Sequence, residues 1–335
     1  MTPEAVAATG AETKVRSASA IALSLLLFVI VLVGAPLIGS TRVSIAEALH
    51  GVSPHYEILF LARLPRVILA MLSGAALAIT GVLFQCLLRD PLAEPYTLGV
   101  SSGASVGAVA AICLGFHAIG IASLAGAAAV LFLVLTIAWE GQRLSSFTLL
   151  LAGVTMNSMS FAVILFLHNL ANFSQSFAIS RWLMGGIDAV DYSTLSWLAA
   201  LVIPVALIVI SQARQWNLMA IGEDWAASRG ISTATYLALG YIAGAVLTGL
   251  VTALTGPIGF IGLIVPHALR LRLGADHRVL LPCSFLCGAA FLGLCDTLSR
   301  TVLAPTEIPV GVITALCGGP FFIWLLRSKR RSLWL

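Results

Sequence analysis

Charge is what this chain has least of. Asp, Glu, Lys and Arg make up 10% of its 335 residues, against 59% hydrophobic, whereas soluble domains carry roughly 25% charged residues. That balance excludes a soluble globular fold and points to an all-α, polytopic membrane protein. Lysine is almost missing. Lys14 follows Thr13 and Lys329 follows Ser328, so no Gly-Lys-Ser/Thr loop exists and the chain holds no nucleotide motor of that kind. An HExxH zinc helix is absent too. The six cysteines, Cys86, Cys113, Cys283, Cys287, Cys295 and Cys317, show no CxxC spacing and lie in or beside apolar runs. They read as small packing residues. No metal or cofactor is expected on this chain, and no nucleic-acid partner.

What the chain has in abundance is apolar runs. Hydropathy gives ten candidate spans, near 19–39, 61–83, 94–114, 118–139, 146–168, 192–211, 235–255, 258–271, 279–298 and 309–327. The eighth is short for a ~20-residue span. Residues 1–18 read as a polar, unstructured tail, 19–328 as one ten-helix domain and 329–335 as a second tail. Residues 21–38 exceed the ~7–15-residue core of a signal peptide, so they read as an uncleaved first span. A further helix near 174–184 looks amphipathic and lies outside the bilayer.

Lys and Arg set the expected orientation. With both termini in the cytoplasm, Lys14, Arg16, Arg89, Arg143, Arg214, Arg229, Arg270, Arg272, Arg278, Arg327, Lys329, Arg330 and Arg331 lie inside. Arg42, Arg63, Arg66, Arg181 and Arg300 lie outside. The positive-inside bias favours this topology. Gly99, Gly103 and Gly107 are four apart, as are Gly240 and Gly244, a spacing that lets helices pack closely in lipid.

Residues 215–231 form a stretch too polar to span a bilayer and too apolar for a plain linker. Gly222 breaks it into two short helices, and the acidic pair Glu223 and Asp224 suits the start of the second. Leu218, Met219, Ile221, Trp225 and Ile231 are expected to offer an apolar surface, either to the headgroup layer or to another protein. Within residues 89–95, Pro91 and Pro95 force a stiff, non-helical connection. It reads as a tight turn or as a constriction at the cytoplasmic end of a pathway. Arg63 and Arg66, three apart at the expected outer mouth of a span, read either as snorkelling to lipid phosphates or as a pad for an acidic partner. Asp296 and Arg300 are spaced as a helix-end ion pair. Residues 255–267, rich in glycine and closed by Pro266-His267, read as broken backbone at membrane depth, tolerated where buried in protein or lining a cavity.

Taken together, Arg63-Leu64-Pro65-Arg66, Asp90-Pro91-Leu92-Ala93-Glu94-Pro95, Leu98-Gly99-Val100-Ser101-Ser102-Gly103-Ala104, Gly222-Glu223, residues 256–267, Asp276-His277-Arg278 and Glu307-Ile308-Pro309-Val310-Gly311 resemble the FecCD-type permeases of bacterial ABC importers. The resemblance runs from about residue 60 to 328. It implies type II importer architecture: a homodimer of ten-span subunits in the inner membrane with the pathway along the dimer axis. Two ATPase subunits holding ATP and Mg would bind below, and a periplasmic binding protein would deliver a bulky metal chelate above, such as an iron-siderophore, haem or cobalamin. By position, Arg63, Arg66 and Arg300 match residues that receive the binding protein, partly exposed on a cationic rim. Leu218, Met219, Ile221, Gly222, Glu223, Asp224, Trp225 and Arg229 match the loop docked on the ATPase (212–232). Asp90, Pro91, Leu92, Ser146 and Phe147 match the cytoplasmic gate. Two departures stand out: the family commonly has Asn where this chain has Asp90, and Phe147 is bulkier than the small polar residue expected there.

Two rival readings remain at this level. A secondary transporter driven by an ion gradient would want an ionisable relay in mid-membrane, for which Asp296 is the one acidic candidate inside a span. A serine hydrolase is suggested by Gly99-Val100-Ser101-Ser102-Gly103, but that motif needs a strand–turn–helix context and a base.

Overall fold

The protein is described here by a computed structural model covering residues 3–96, 98–141 and 143–328. The expected tail 329–335, with Lys329, Arg330 and Arg331, lies outside the described residues. Among the described residues, seven helices are long and apolar enough to cross a membrane. They are α1 (Pro3–Gly34, apolar from Ser17), α3 (Glu57–Leu87), α5 (Ile119–Ala138), α6 (Ser146–Leu170), α8 (Tyr192–Ser211), α11 (Thr233–Thr255) and α13 (His277–Thr301). Three shorter helices stand where the other three spans are expected: the apolar α4 (Val100–Cys113) and α14 (Val310–Ser328), and α12 (Ile261–Leu273), whose last turn carries Arg270 and Arg272. Between them lie α2 (Ile45–Leu49), α7 (Phe173–Leu183), α9 (Ala213–Ile221) and α10 (Glu223–Ser228). The lone sheet among the described residues is a hairpin between α5 and α6. It consists of β1 (Trp139–Glu140) and β2 (Arg143–Leu144), paired antiparallel with Trp139 opposite Leu144.

Two expectations change. Residues 3–18 are not irregular but form the first turns of α1, as their alanines and their Glu and Lys favour. The third span does not begin at 94. Residues 90–96 and 98–99 are non-helical, and α4 starts only at Val100.

Helix α3 is the hub. Nearly every residue from Val67 to Leu87 is buried, enclosed by α11, α12 and α13, with α8 and α9 alongside. Small residues allow the close approaches. A Cβ at Gly103 or Gly107 would run into the α5 backbone at Gly126 or Ala122, so the four-residue glycine spacing seals α4 onto α5.

The short helices have a geometric reason. Tyr241, eight residues into α11, donates its hydroxyl to Leu98 O at 3.2 Å. Gly153, seven residues into α6, abuts the Leu98 backbone. At 1.5 Å per residue, both place Leu98 roughly 10–12 Å inside the bundle from its α9/α10 end. Helix α4 therefore starts at depth, and its 14 residues supply about 21 Å, enough to complete a ~30 Å crossing. Helix α12 also starts inside: Gln85 Nε2 donates to Gly262 O at 3.1 Å, and Gly262 packs on Gly81 of α3. The non-helical segment 256–260 leads down to it from the far end of α11. There Gly256, at φ +64, passes so close to Trp182 O that a Cβ would collide.

Candidate coupling and gating site

Helices α9 and α10 form a bent pair at one end of the bundle. One face of α9 is anchored. Trp216 is fully buried, its indole N–H donating to Val209 O at 2.9 Å, and Met219 is buried as well. Asn217 fastens α9 to the α12–α13 turn. Its Nδ2 donates to Asp276 Oδ1 at 2.7 Å, while its Oδ1 accepts the His277 backbone N–H at 2.8 Å. Asp276 caps α13 by accepting the Arg278 N–H at 3.0 Å. Burial opposes its charge, but these hydrogen bonds outweigh burial and hold the carboxyl below its usual range. The sequence motif Asp276-His277-Arg278 thus has a mechanical meaning.

The opposite face is open. Ile221 is 61% exposed and Trp225 39%, with Arg229 stacked over the Trp225 ring at 4.6 Å. Asp224 is exposed and Leu218 half-buried. Met219 therefore does not belong to the outward surface expected of it. Helical rotation puts Ala213, Trp216 and Met219 on the buried side of α9 and Ile221 on its free side, with Leu218 half-buried between. Trp225 is exposed on α10.

Glu223 turns back. It accepts the Ser146 hydroxyl at 2.7 Å and pairs with Arg89 at 3.5 Å. Ser146 begins α6 just after the N-cap Ser145, whose hydroxyl accepts the Thr148 N–H. Arg89 follows the end of α3 at φ +51, a left-handed conformation usually left to glycine. Next to it, Asp90 Oδ1 accepts the Leu92 N–H at 2.9 Å, an Asx turn that Asn could make equally well. The departure at Asp90 leaves this turn intact. Leu92 is 48% exposed and Phe147 73%. Deeper in the loop, Glu94 accepts the Phe260 N–H at the start of α12 at 3.2 Å, where a negative charge suits the helix end.

The three predicted outer arginines do come together, at the bundle end opposite α9 and α10, but not as an exposed rim. Arg63 and Arg300 are each 7% exposed. Arg63 donates to Thr41 O at 2.6 Å and Thr41 Oγ1 at 2.9 Å. Arg300 donates to Ile38 O and Ala35 O at 3.2 and 3.1 Å. Arg66 donates to Asp296 and to Glu307, both at 2.9 Å, and Asp296 also pairs with Arg300 at 3.1 Å. Span α3 begins at Glu57, not near 61, so Arg63 and Arg66 lie well inside the helix, where they need internal partners. Nothing in the sequence pattern pointed to the carbonyls of 35–41 as those partners. Arg66 and Glu307 also border a cavity of about 740 Å³ lined by α7, the 184–188 segment and 306–310.

Comparison with known proteins fixes the class. Residues 24–328 match the model of the FecCD transport family. The chain belongs to the FecCD transport family. This FecCD permease is 39% identical over 281 residues to the hemin transport system permease protein HmuU of Yersinia pestis, covering 81% of this chain and 83% of the relative. It is 42% identical over 274 residues to the vitamin B12 import system permease protein BtuC of Escherichia coli O9:H4, covering 80% and 83%. It is 44% identical over 281 residues to an ABC transporter permease, YvrB, of Bacillus subtilis strain 168, covering 81% and 78%. A solved chain described as an inward-facing, metal-chelate type ABC transporter superposes with a TM-score of 0.83 at 30% identity, covering 93% of this chain and 99% of the other. The FecCD permease is thus a transport subunit with the helical fold of an ABC importer permease.

The rival readings end on two side chains. Ser101 is fully buried in the first turn of α4, out of reach of a hydrolase substrate. Asp296 is buried against two arginines, a locked network and not an open relay.

Proposed function

We propose that this permease forms a homodimer in the bacterial inner membrane and imports a bulky metal chelate, in the class of haem, cobalamin or ferric siderophores. Two cytoplasmic ATPase subunits that hold ATP and Mg drive it, and a periplasmic binding protein supplies it. Both termini and the α9–α10 pair face the cytoplasm. The observation that carries this reading is the α9–α10 element itself. It is braced from behind by Trp216, Met219 and Asn217, yet presents Ile221, Asp224 and Trp225 to something outside its own chain. A braced face with an apolar and acidic front suits a partner that pushes on it.

The pathway runs beside α6. Its exposed side carries Leu151, Thr155, Ser158 and Ala162, and the two hydroxyls bond carbonyls of their own helix. A large ligand moving past meets no fixed charge, which favours weak binding and release. Leu92 and Phe147 close this path at the cytoplasmic end, with Asp90, Pro91 and Ser146 holding them. At the periplasmic end, Arg63, Arg66 and Arg300 brace the rim on which the binding protein lands.

The test is uptake. Proteoliposomes containing the permease with its ATPase are supplied with binding protein and, in turn, haem, cyanocobalamin and a ferric siderophore. Import that needs ATP and binding protein for one of the three is expected. Import driven by a proton or sodium gradient without ATP would overturn the reading.

A further inference from the structure

We propose that Glu223 is an intrachain positioning residue that ties the ATPase-facing element to both halves of the cytoplasmic gate. The inference rests on the proposed function and deepens it. Glu223 reads from the sequence as part of the docking surface, but its carboxylate faces the other way. One oxygen, Oε1, accepts the Ser146 hydroxyl at 2.7 Å and lies 3.5 Å from Arg89 Nη2. Three segments far apart in the chain meet there: the end of α3, the start of α6 and the start of α10.

What makes the junction informative is what sits beside it. Phe147 directly follows Ser146, and Leu92 is three residues beyond Arg89; both are large, apolar and exposed. On the other side, Asp224 and Trp225 directly follow Glu223, and both are exposed. A single carboxylate thus separates the face that meets a partner from the two residues positioned to close the path.

The mechanical linkage is stiff at each end. Ser146 occupies the first turn of α6, whose N-terminus is capped by Ser145. Arg89 is held in a left-handed conformation, which for a non-glycine residue persists only when its surroundings fix it. Gly222, just before Glu223, passes beside the Arg89 guanidinium. The short hydroxyl–carboxylate bond is the stronger of the two contacts. The longer pair with Arg89 is partly open to solvent, at 47% and 28% side-chain exposure, and is correspondingly screened. When α10 shifts under its partner, Glu223 carries the first turn of α6 with it through Ser146, and the α3–α4 loop through Arg89. Both gate residues then move together.

The experiment uses the full assembly of permease, ATPase and binding protein, and reads substrate imported per ATP hydrolysed. Ser146→Ala and Glu223→Ala should each lower that ratio about tenfold, the scale of losing one charge-assisted hydrogen bond. The double variant should be no worse than the weaker single, because both remove the same contact. Ser146→Thr, which keeps the hydroxyl, should restore coupling. In all four variants the ATPase should still co-purify with the permease. Additive losses would overturn the proposal, as would loss of ATPase binding in Glu223→Ala with normal coupling in Ser146→Ala. A second measurement needs no transport. In full-length permease with Cys317→Ser, the pair Ser146→Cys and Glu223→Cys should be joined by a short bifunctional thiol reagent that spans the length lost in shortening Glu223, and failure to join them overturns the contact. If the wild-type assembly shows no ATP-driven uptake, the proposed function fails while this crosslink still decides the contact.

Discussion

Arg66 on α3 and Asp296 on α13, 230 residues apart in sequence, are joined by a 2.9 Å hydrogen bond from Nε to Oδ1. Asp296 is fully buried and shares its second oxygen with Arg300. This pair connects the two helices that make the most extensive packing in the bundle, and it connects them near the rim. The rim is therefore built by buried charge, and its shape depends on that charge being satisfied.

Breaking the pair should cost stability first. Asp296→Asn leaves the buried Arg300 without a carboxylate partner and should destabilise the purified permease by about 3–5 kcal/mol. Arg66→Ala, which leaves the Asp296–Arg300 pair in place, should cost less. Denaturant unfolding in detergent measures this. A loss below about 1 kcal/mol in Asp296→Asn, typical of exposed pairs, would show that the network is solvated and the burial argument wrong.

The Asn217–Asp276 clamp should make stability depend on pH. Asp276 has its carboxyl held below the usual range in the folded protein. Its contribution is therefore complete above the ordinary carboxylate range and is lost as pH falls through the lowered value. Wild type should exceed Asp276→Asn in stability at pH 7, and the gap should narrow steadily on acidification to pH 3. Melting curves of both proteins across that range check the sign; a gap that widens at low pH contradicts it.

The two faces of α9 and α10 should separate in mutagenesis. Trp225→Ala and Ile221→Ala should weaken association with the ATPase, Trp225 by about 2 kcal/mol if it is an anchor of the contact, while the permease melts normally. Met219→Ala should do the reverse, costing about 2–5 kcal/mol of fold stability through a cavity. Binding isotherms and unfolding curves for the three variants suffice. An effect of Met219→Ala on binding alone would mean that α9 is rotated from the orientation described.

The proposed homodimer and its proposed gate can be probed at Leu92. A single cysteine there, again with Cys317→Ser, should crosslink between two copies, and more readily in one nucleotide state than another. Crosslinking that ignores nucleotide would argue against a moving constriction at this loop.

Hydropathy located the seven long spans and the amphipathic α7, and Gly222 marked the break between α9 and α10, because these depend on runs of neighbouring residues. Motifs such as Asp90-Pro91-Leu92 and Gly222-Glu223 marked segments that the fold brings together at one end of the bundle. Their contacts were not legible. Which way Met219, Ile221 and Glu223 face depends on how α9 and α10 are rotated against the bundle, and that is set by Trp216, Asn217 and Ser146 packing across long sequence gaps. The depth at which α4 begins follows from Tyr241 and Gly153 holding Leu98 inside the bundle. The three arginines show the division most clearly. The sequence determined that they gather at one end of the bundle and that Asp296 and Arg300 share a helix face; only the tertiary structure placed Asp296 and Glu307 beside Arg66 and the carbonyls of 35–41 beside Arg63 and Arg300. Membrane preference is a sum over local transfer energies, whereas the partner of a buried charge is decided by which distant segment fills the space beside it.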